Sequence, residues 1–298
     1  EVIEAPVDRN GLTKRYTEVA LDWIEENRDE PFFLYIPQAM PGSTSEPFSS
    51  EEFRGKSRNG PWGDSIEELD WSTGRILDHL VKLGIEEDTL VIWTSDNGAP
   101  IRPEPGNLTR GSNLPLHGRG YTTSEGAFRV PTIIWQPGTI PAGTVCEELT
   151  TTMDLLPTFV SMAGGKIEDG VKRDGYDVTG LYLGEEGAET PYEYFAYYYL
   201  NQLQAIRSGP WKLFVPLENF PQHPHYTKKN QTNGPLLFHL YDDVACDTNV
   251  ADQHPDTVAK LMGYAEEMRK DLGDHENPGP GIRPPGKVKN PVPVVKLK

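Results

Sequence analysis

Thr89-Leu-Val-Ile-Trp-Thr-Ser-Asp-Asn-Gly-Ala-Pro100 is the stretch that decides how this chain is read. Leu90, Val91, Ile92 and Trp93 form a short, β-rich apolar run of the length expected for a strand buried on both faces. The run stops abruptly in Ser95-Asp-Asn-Gly98. In an open α/β sheet, ligands collect beyond the carboxyl ends of the strands. A carboxylate beside an amide oxygen at such an end suits a hard cation, Ca2+ or Mg2+. Taken alone, Asp-Asn-Gly also reads as a plain turn, since Asn and Gly accept positive φ.

Upstream, apolar positions Ile66, Leu69, Ile76, Leu80 and Leu83 predict a helix over Asp64–Leu83. Asp64, Glu67 and Glu68 fall in its expected first turn, where they complement the helix dipole, and Gly84 closes it. Before it, Pro31-Phe-Phe-Leu-Tyr-Ile-Pro37 reads as a buried strand, followed by a loop to about Pro61 expected to face solvent. Strand, helix, strand in that order predicts a parallel sheet with a crossover helix. Tyr16, Val19, Ala20, Trp23 and Ile24 predict a further amphipathic helix over Leu12–Asn27.

Downstream, Ile101 to Tyr121 is a long loop carrying Arg102, Arg110, His117 and Arg119. Loops beyond about 12–15 residues inside a compact domain are usually functional or disordered. Basic groups gathered in one loop of an acidic chain suit anion binding, though a solvated loop reads equally well. Pro131 to Trp135 reads as a strand, and Met153–Ala163 as a helix with Leu155, Leu156, Phe159, Val160 and Met162 inward. A Gly-rich, acidic stretch from Lys166 to Thr190 marks a boundary. Hairpin-like strands follow at Tyr192–Leu200, Leu203–Leu217 and Leu236–Asp242, then a helix from about Asp256 to Leu272. That order predicts a small α+β subdomain, with Tyr194, Phe195, Tyr197, Tyr198 and Tyr199 in its core and edge. The expected division is residues 1–180, 181–275 and an extended tail, 276–298.

Composition excludes several classes. The 298 residues are 36% apolar and carry a formal net charge of −17, without the basic stripe of a nucleic-acid-binding protein. No run approaches the ~18 apolar residues of a membrane span. An anionic substrate would need a local positive field from a metal and a few cations. Cys146 and Cys246 form no Cys-x-x-Cys; they could pair with each other or both be free core residues, and the free reading is favoured. Asn107-Leu-Thr and Asn230-Gln-Thr match the glycosylation sequon. No signal peptide is visible at Glu1, where the sequence begins as if mid-protein.

Pro31-Phe-Phe-Leu-Tyr35, Gly63 to Leu77, Thr89 to Gly98, Gly120-Tyr-Thr-Thr-Ser-Glu-Gly-Ala-Phe-Arg-Val-Pro131 and Thr152 to Thr158 resemble, in order, the landmarks of the type I sulfatases. Ala205 to Leu213, Leu240-Tyr-Asp-Asp243 and Thr248 to Asp252 resemble that family's C-terminal subdomain. The resemblance implies an α/β, alkaline-phosphatase-like fold with a parallel-sheet core and a small α+β C-terminal subdomain. It implies hydrolysis of sulfate esters with bound Ca2+ or Mg2+, a formylglycine nucleophile and a sulfated small-molecule or carbohydrate substrate. It places two of the metal ligands at Asp96 and Asn97. A periplasmic, extracellular or lysosomal location is also implied by the family.

The departures are specific. Neither cysteine lies in Cys/Ser-x-Pro-x-Arg, Ser208-Gly-Pro-Trp-Lys lacks the arginine, and the family's N-terminal aspartate pair is missing. The expectation is a C-terminal portion of a sulfatase that is inactive alone. Gln38 stands where many members place a histidine; it can donate a hydrogen bond but cannot shuttle a proton. His117 or Arg119 would replace the family's sulfate-binding lysine, His117 as an acid or Arg119 as a permanent forked cation. Arg129 reads as a structural ion-pair former. The alternative expectation, favoured by Gln38, is a catalytically inactive sulfatase-like module that binds a sulfated ligand or a partner.

Overall fold

The structure, a computed structural model, describes residues 4–42, 46–100, 111–168, 170, 172–218, 220–226, 228 and 234–292. Arg102, Arg110 and both sequon asparagines lie outside the described residues. The chain divides into two compact units, one of Glu1–Glu86, Pro100–Ser112 and Gly281–Lys298, the other of Glu87–Ala99 and Asn113–Pro280.

In the first unit, α1 (Leu12–Asn27) packs on α2 (Gly60–Leu83). The periodicity of α1 is as expected, but its buried stripe is Thr13, Thr17, Ala20 and Ile24, while Tyr16 and Val19 are exposed. Small residues win that face because the helices approach closely: Thr17 Oγ1 lies 2.6 Å from Ser72 Oγ of α2. The Thr17 hydroxyl also donates to the Thr13 carbonyl at 2.7 Å, which satisfies it within its own helix.

α2 begins four residues earlier than expected, with a proline in its first turn, and ends at Gly84 with φ 71°. Asp64 and Glu68 therefore sit past the first turn, buried, with a different task. Asp64 accepts the amides of Gly55, Lys56 and Ser57 at 2.7, 3.1 and 2.8 Å. Glu68 accepts the Ser50 amide at 2.9 Å. These two carboxylates fold the preceding loop onto the helix by satisfying its backbone donors, and Ser49 is buried rather than solvent-facing. Ile66, expected inside, is exposed. Pro31–Pro37 is extended but joins no ladder among the described residues, and Phe33 and Tyr35 are largely exposed.

The second unit opens with β1 (Val91–Trp93), α3 (Glu125–Phe128) and β2 (Ile133–Trp135). β1 pairs antiparallel with β2 in the register Ile92↔Ile134. The expected parallel neighbour is not among the described ladders, and β1 is half-buried, with Trp93 exposed. A short 3-10 turn, Thr152–Asp154, with a capping box from Thr151 precedes α4 (Leu155–Met162). The buried residues of α4 are Pro157 and Thr158, whereas Leu156 is exposed. Thr158 faces inward because its hydroxyl takes the Val178 amide at 3.1 Å, just before α5 (Thr179–Leu183).

Four strands follow: β3 (Phe195–Tyr199), β4 (Gln202–Ser208), β5 (Trp211–Phe214) and β6 (Leu236–His239), an antiparallel meander in sequence order. The stretch read as one strand, Leu203–Leu217, is a hairpin turned at Gly209-Pro210. α6 (Pro255–Asp271) covers one face, burying Leu203, Ile206, Leu213, Leu237, Leu261 and Ala265. Tyr197, Phe214, Tyr226 and Phe238 pack on the other. Full burial contributes ~1.5–3 kcal/mol for each leucine, isoleucine and phenylalanine of these two clusters. The tyrosine-rich cluster is core and edge, as expected. Pairing jumps from Tyr197↔Ala205 to Tyr198↔Leu203, leaving Gln204 as the extra residue of a bulge. β7 (Gly273–Asp274) and β8 (Asn277–Pro278) form a last small ladder, and the described residues beyond it are mostly exposed.

Candidate active site

The turn after β1 is held by close backbone contact. A Cβ on Gly98 would lie 1.7 Å from the Gly126 carbonyl oxygen, and one on Gly126 would lie 2.6 Å from that of Gly118. Only glycine permits this approach. Gly98 N–H donates to Ala127 O at 2.9 Å, Gly126 N–H to His117 O at 2.7 Å and Gly120 N–H to Ala99 O at 3.2 Å. The Asn113 side chain completes the knot, accepting from Ala99 N at 2.8 Å and donating to Ala99 O at 2.9 Å and Gly118 O at 3.3 Å. The Asp-Asn-Gly turn and the 117–126 segment thus form one unit of structure.

Asp96 and Asn97 are exposed on this knot. Asp96 Oδ1 accepts the Asn97 amide at 2.8 Å. The Asn97 Nδ2 donates to Gly98 O at 3.0 Å, so its nitrogen end is committed to the backbone. The donor set, two adjacent hard oxygens, fits Ca2+ or Mg2+ in kind. Among the described residues, no group of three or more His, Cys, Asp or Glu side chains could hold a metal. Asp96 and Asn97 together offer two oxygen donors, fewer than a whole cation site needs.

His117 is buried against the Tyr226 ring, 5.0 Å between centroids, and its Nε2 has no partner among the described residues. Burial, with Lys228 and Lys212 adding repulsion, pushes its pKa down to about 4, so the ring is neutral at neutral pH. Arg119 is half-buried. Its carbonyl is held by Thr122 Oγ1 at 2.7 Å, and no carboxylate among the described residues lies within ion-pair distance of its guanidinium. Gln38 belongs to the first unit, where its Nε2 lies 3.4 Å from Ser72 Oγ and its buried Oε1 has no partner among the described residues. Arg129, expected in an ion pair, makes none among the described residues; its charge only helps lower the Glu125 pKa.

Glu125 went unnoticed in the sequence and is the hub of a buried charge cluster. Lys212 Nζ lies 2.7 Å from Glu125 Oε1, Arg207 Nη1 3.4 Å from Oε2, and the Tyr197 hydroxyl donates at 3.2 Å. Arg207 and Lys212 are cross-strand partners on β4 and β5. Like charges so placed repel, and Glu125 resolves the conflict. Burial pushes the Glu125 carboxyl up, but Lys212 and Arg207 outweigh it and hold it below the usual range. Lys212 also donates to Thr123 O at 2.7 Å and lies over the Tyr197 ring, 3.8 Å from its centroid.

The bulge residue Gln204 reaches the same segment. Its Oε1 accepts from Thr123 Oγ1 at 3.1 Å, and its carbonyl lies 3.1 Å from His223 Nε2. His225 Nδ1 accepts the Thr123 amide at 3.1 Å. Bulges commonly re-aim side chains in this way. The only trace in the sequence was His223-Pro-His225, two histidines crowded into a chain with few.

The chain belongs to the Sulfatase family, whose profile matches residues 3–165, more than half of the sequence. It is 34% identical over 295 residues to N-acetylgalactosamine-6-sulfatase of Mus musculus, covering 90% of this chain and 55% of that protein. It is 34% identical over 290 residues to steryl-sulfatase of Rattus norvegicus, covering 90% of this chain and 48% of that one. The chain spans about half the length of these curated relatives. A solved structure from work on glycosaminoglycan metabolism by Bacteroides thetaiotaomicron superposes with a TM-score of 0.75 at 25% identity, over 88% of this chain and 55% of that one. A Pseudoalteromonas sulfatase superposes with a TM-score of 0.74 at 20% identity, over 89% and 55%. The fold is the α/β, alkaline-phosphatase-like fold of the sulfatases. The family works with a metal ion and a formylglycine.

Proposed function

We propose that this chain carries part of the active site of a sulfuric ester hydrolase. The observation that supports it is the glycine knot, which joins the exposed Asp96-Asn97 pair to the segment carrying Arg119, a cation with no carboxylate partner among the described residues in a chain of net charge −17. Asp96 and Asn97 would hold the Ca2+ or Mg2+ that, when bound, withdraws charge from the sulfate oxygens. Arg119 is the better replacement for the family's lysine, because it stays charged while the buried His117 ring stays neutral. His117 is then a neutral hydrogen-bonding group, not a resting acid. Gln38, which belongs to the other compact unit, can donate a hydrogen bond but carries no charge, and its role is read from the family resemblance alone.

The nucleophile is not assigned to Cys246, whose thiol is buried, or to Cys146, whose sequence context lacks the modification motif. The division near residue 180 between α/β core and α+β subdomain belongs to the same reading. The organic part of the ester is left open between a carbohydrate and a small hydrophobic alcohol, since the two relatives above carry names of both kinds.

The test is the open reading frame that encodes this chain, co-expressed with a formylglycine-generating enzyme and assayed on aryl, steryl and carbohydrate sulfates. Hydrolysis that falls at least ~100-fold in Asp96→Asn and Arg119→Gln supports the assignment. Turnover that survives both substitutions refutes it, and sulfated-ligand binding without turnover identifies the inactive module instead. The isolated chain, with two of the metal ligands, should bind Ca2+ only weakly; micromolar affinity by titration calorimetry would contradict the half-site.

A further inference from the structure

Trp211 and His239 are cross-strand partners on β5 and β6, and with His254, the residue before α6, they line one cavity of about 330 Å³. That volume is at the lower end of the ~300–1,000 Å³ usual for small-molecule sites. The Trp211 ring stands edge-on to His239, 4.6 Å between centroids, and lies 4.8 Å from His254. Asp242, Asp243 and Thr248 complete the wall, and no lysine or arginine among the described residues lines it. Asp243 is committed to its own loop, accepting the Asp247 and Thr248 amides at 2.8 Å each, so this wall is organised before any ligand arrives. Asp242 is not so committed. Its side chain is 83% exposed, and its Oδ2 lies 2.6 Å from His239 Nδ1 but outside hydrogen-bond alignment. Successive residues of a strand face opposite sides of a sheet. Trp211 packs with Leu213 on the α6 side, whereas Lys212 reaches Glu125 on the other. The cavity is therefore separated by the sheet from Glu125 and its charge cluster.

We propose that this cavity binds a small protonated amine, its ammonium held between the Trp211 ring and the Asp242 carboxylate. The electron-rich face of an indole attracts a cation, and a carboxylate at the rim adds opposite charge and hydrogen-bond acceptors. The His254 ring, which makes no hydrogen bond among the described residues, offers a further acceptor when neutral. A sulfate group would meet two carboxylates and no cation here, so the site takes a ligand of the opposite charge from the proposed ester and does not depend on that reading.

The experiment titrates the 15N-labelled chain with butylammonium chloride at constant ionic strength and follows the Trp211 indole N–H resonance, assigned through Trp211→Phe. The expected result is a saturable shift that neither butanol, the neutral analogue of the same shape, nor sodium sulfate reproduces. Asp242→Asn should weaken butylammonium binding about threefold or more, and Asp242→Lys should abolish it; a side chain so exposed can be changed without disturbing the fold. Trp211→Leu should weaken it about fivefold or more, read through the His254 ring resonances. A parent chain without a saturable shift overturns the site. Butanol binding as well as butylammonium, or Asp242→Lys binding as the parent does, overturns the assignment of a cation. Should Trp211→Leu unfold, the Asp242 variants and the butanol control still decide.

Discussion

Glu125→Gln is the sharpest perturbation the structure offers. The change is nearly isosteric, so it removes charge and little volume. It leaves Lys212 and Arg207, 0% and 7% exposed at the side chain, facing each other across β4 and β5 with no carboxylate between them. Removing one member of a buried ion pair typically costs ~3–5 kcal/mol, because the surviving charge remains desolvated. Against a domain stability of ~5–15 kcal/mol, that is a large share. The assay is urea unfolding followed by tryptophan fluorescence and circular dichroism. The pH dependence supplies an internal control. The folded-state pKa of Glu125 is lowered, so its contribution is present above the unfolded value, ~4.5, and is lost as pH falls through the folded value. Parent and variant should therefore differ at neutral pH and converge in acid. Adding Lys212→Met should recover part of the loss, since the stranded cation is then gone. A loss below ~1 kcal/mol at neutral pH, or one equally large in acid, would refute the charge-cluster reasoning.

Three further outcomes follow from the same geometry. Gly98→Ala would place a Cβ 1.7 Å from the Gly126 carbonyl oxygen and should destabilise by more than ~3 kcal/mol in thermal unfolding, whereas Gly74→Ala in α2, with nothing within 4 Å, should stabilise by ~0.5–1 kcal/mol. His117, His223 and His225 all have pKa values pushed down to about 4 by burial, so the unfolded chain takes up protons below ~6.5 that the folded chain does not. Stability should be full above ~6.5 and fall toward pH 4 with a slope of at most ~4 kcal/mol per pH unit; a flat profile over that window would show the rings to be exposed. Cys246 is buried, its thiol pushed up to about 12, while Cys146 is exposed. A thiol reagent should therefore modify one cysteine in the native protein and both in urea.

The sequence alone determined the local and periodic features. The α1 and α6 helices, the hairpin strands, the Asp-Asn-Gly turn and the family landmarks each depend on residues a few positions apart. Periodicity could not say which stripe of α1 goes inward, because Thr17 and Ser72 face each other only once two helices meet. Nor could it turn Asp64 and Glu68 from dipole partners into anchors for a loop, a change that followed from α2 starting at Gly60. The site depends still more on distance along the chain. Glu125 meets Lys212 across 87 positions and Thr123 meets His225 across 102. Those meetings are made by a glycine knot that allows backbone contact and by a bulge at Gln204 that redirects a strand. Both devices act in three dimensions, and only the folded chain reveals which charges they leave paired and which, like Arg119, they leave without a carboxylate partner among the described residues.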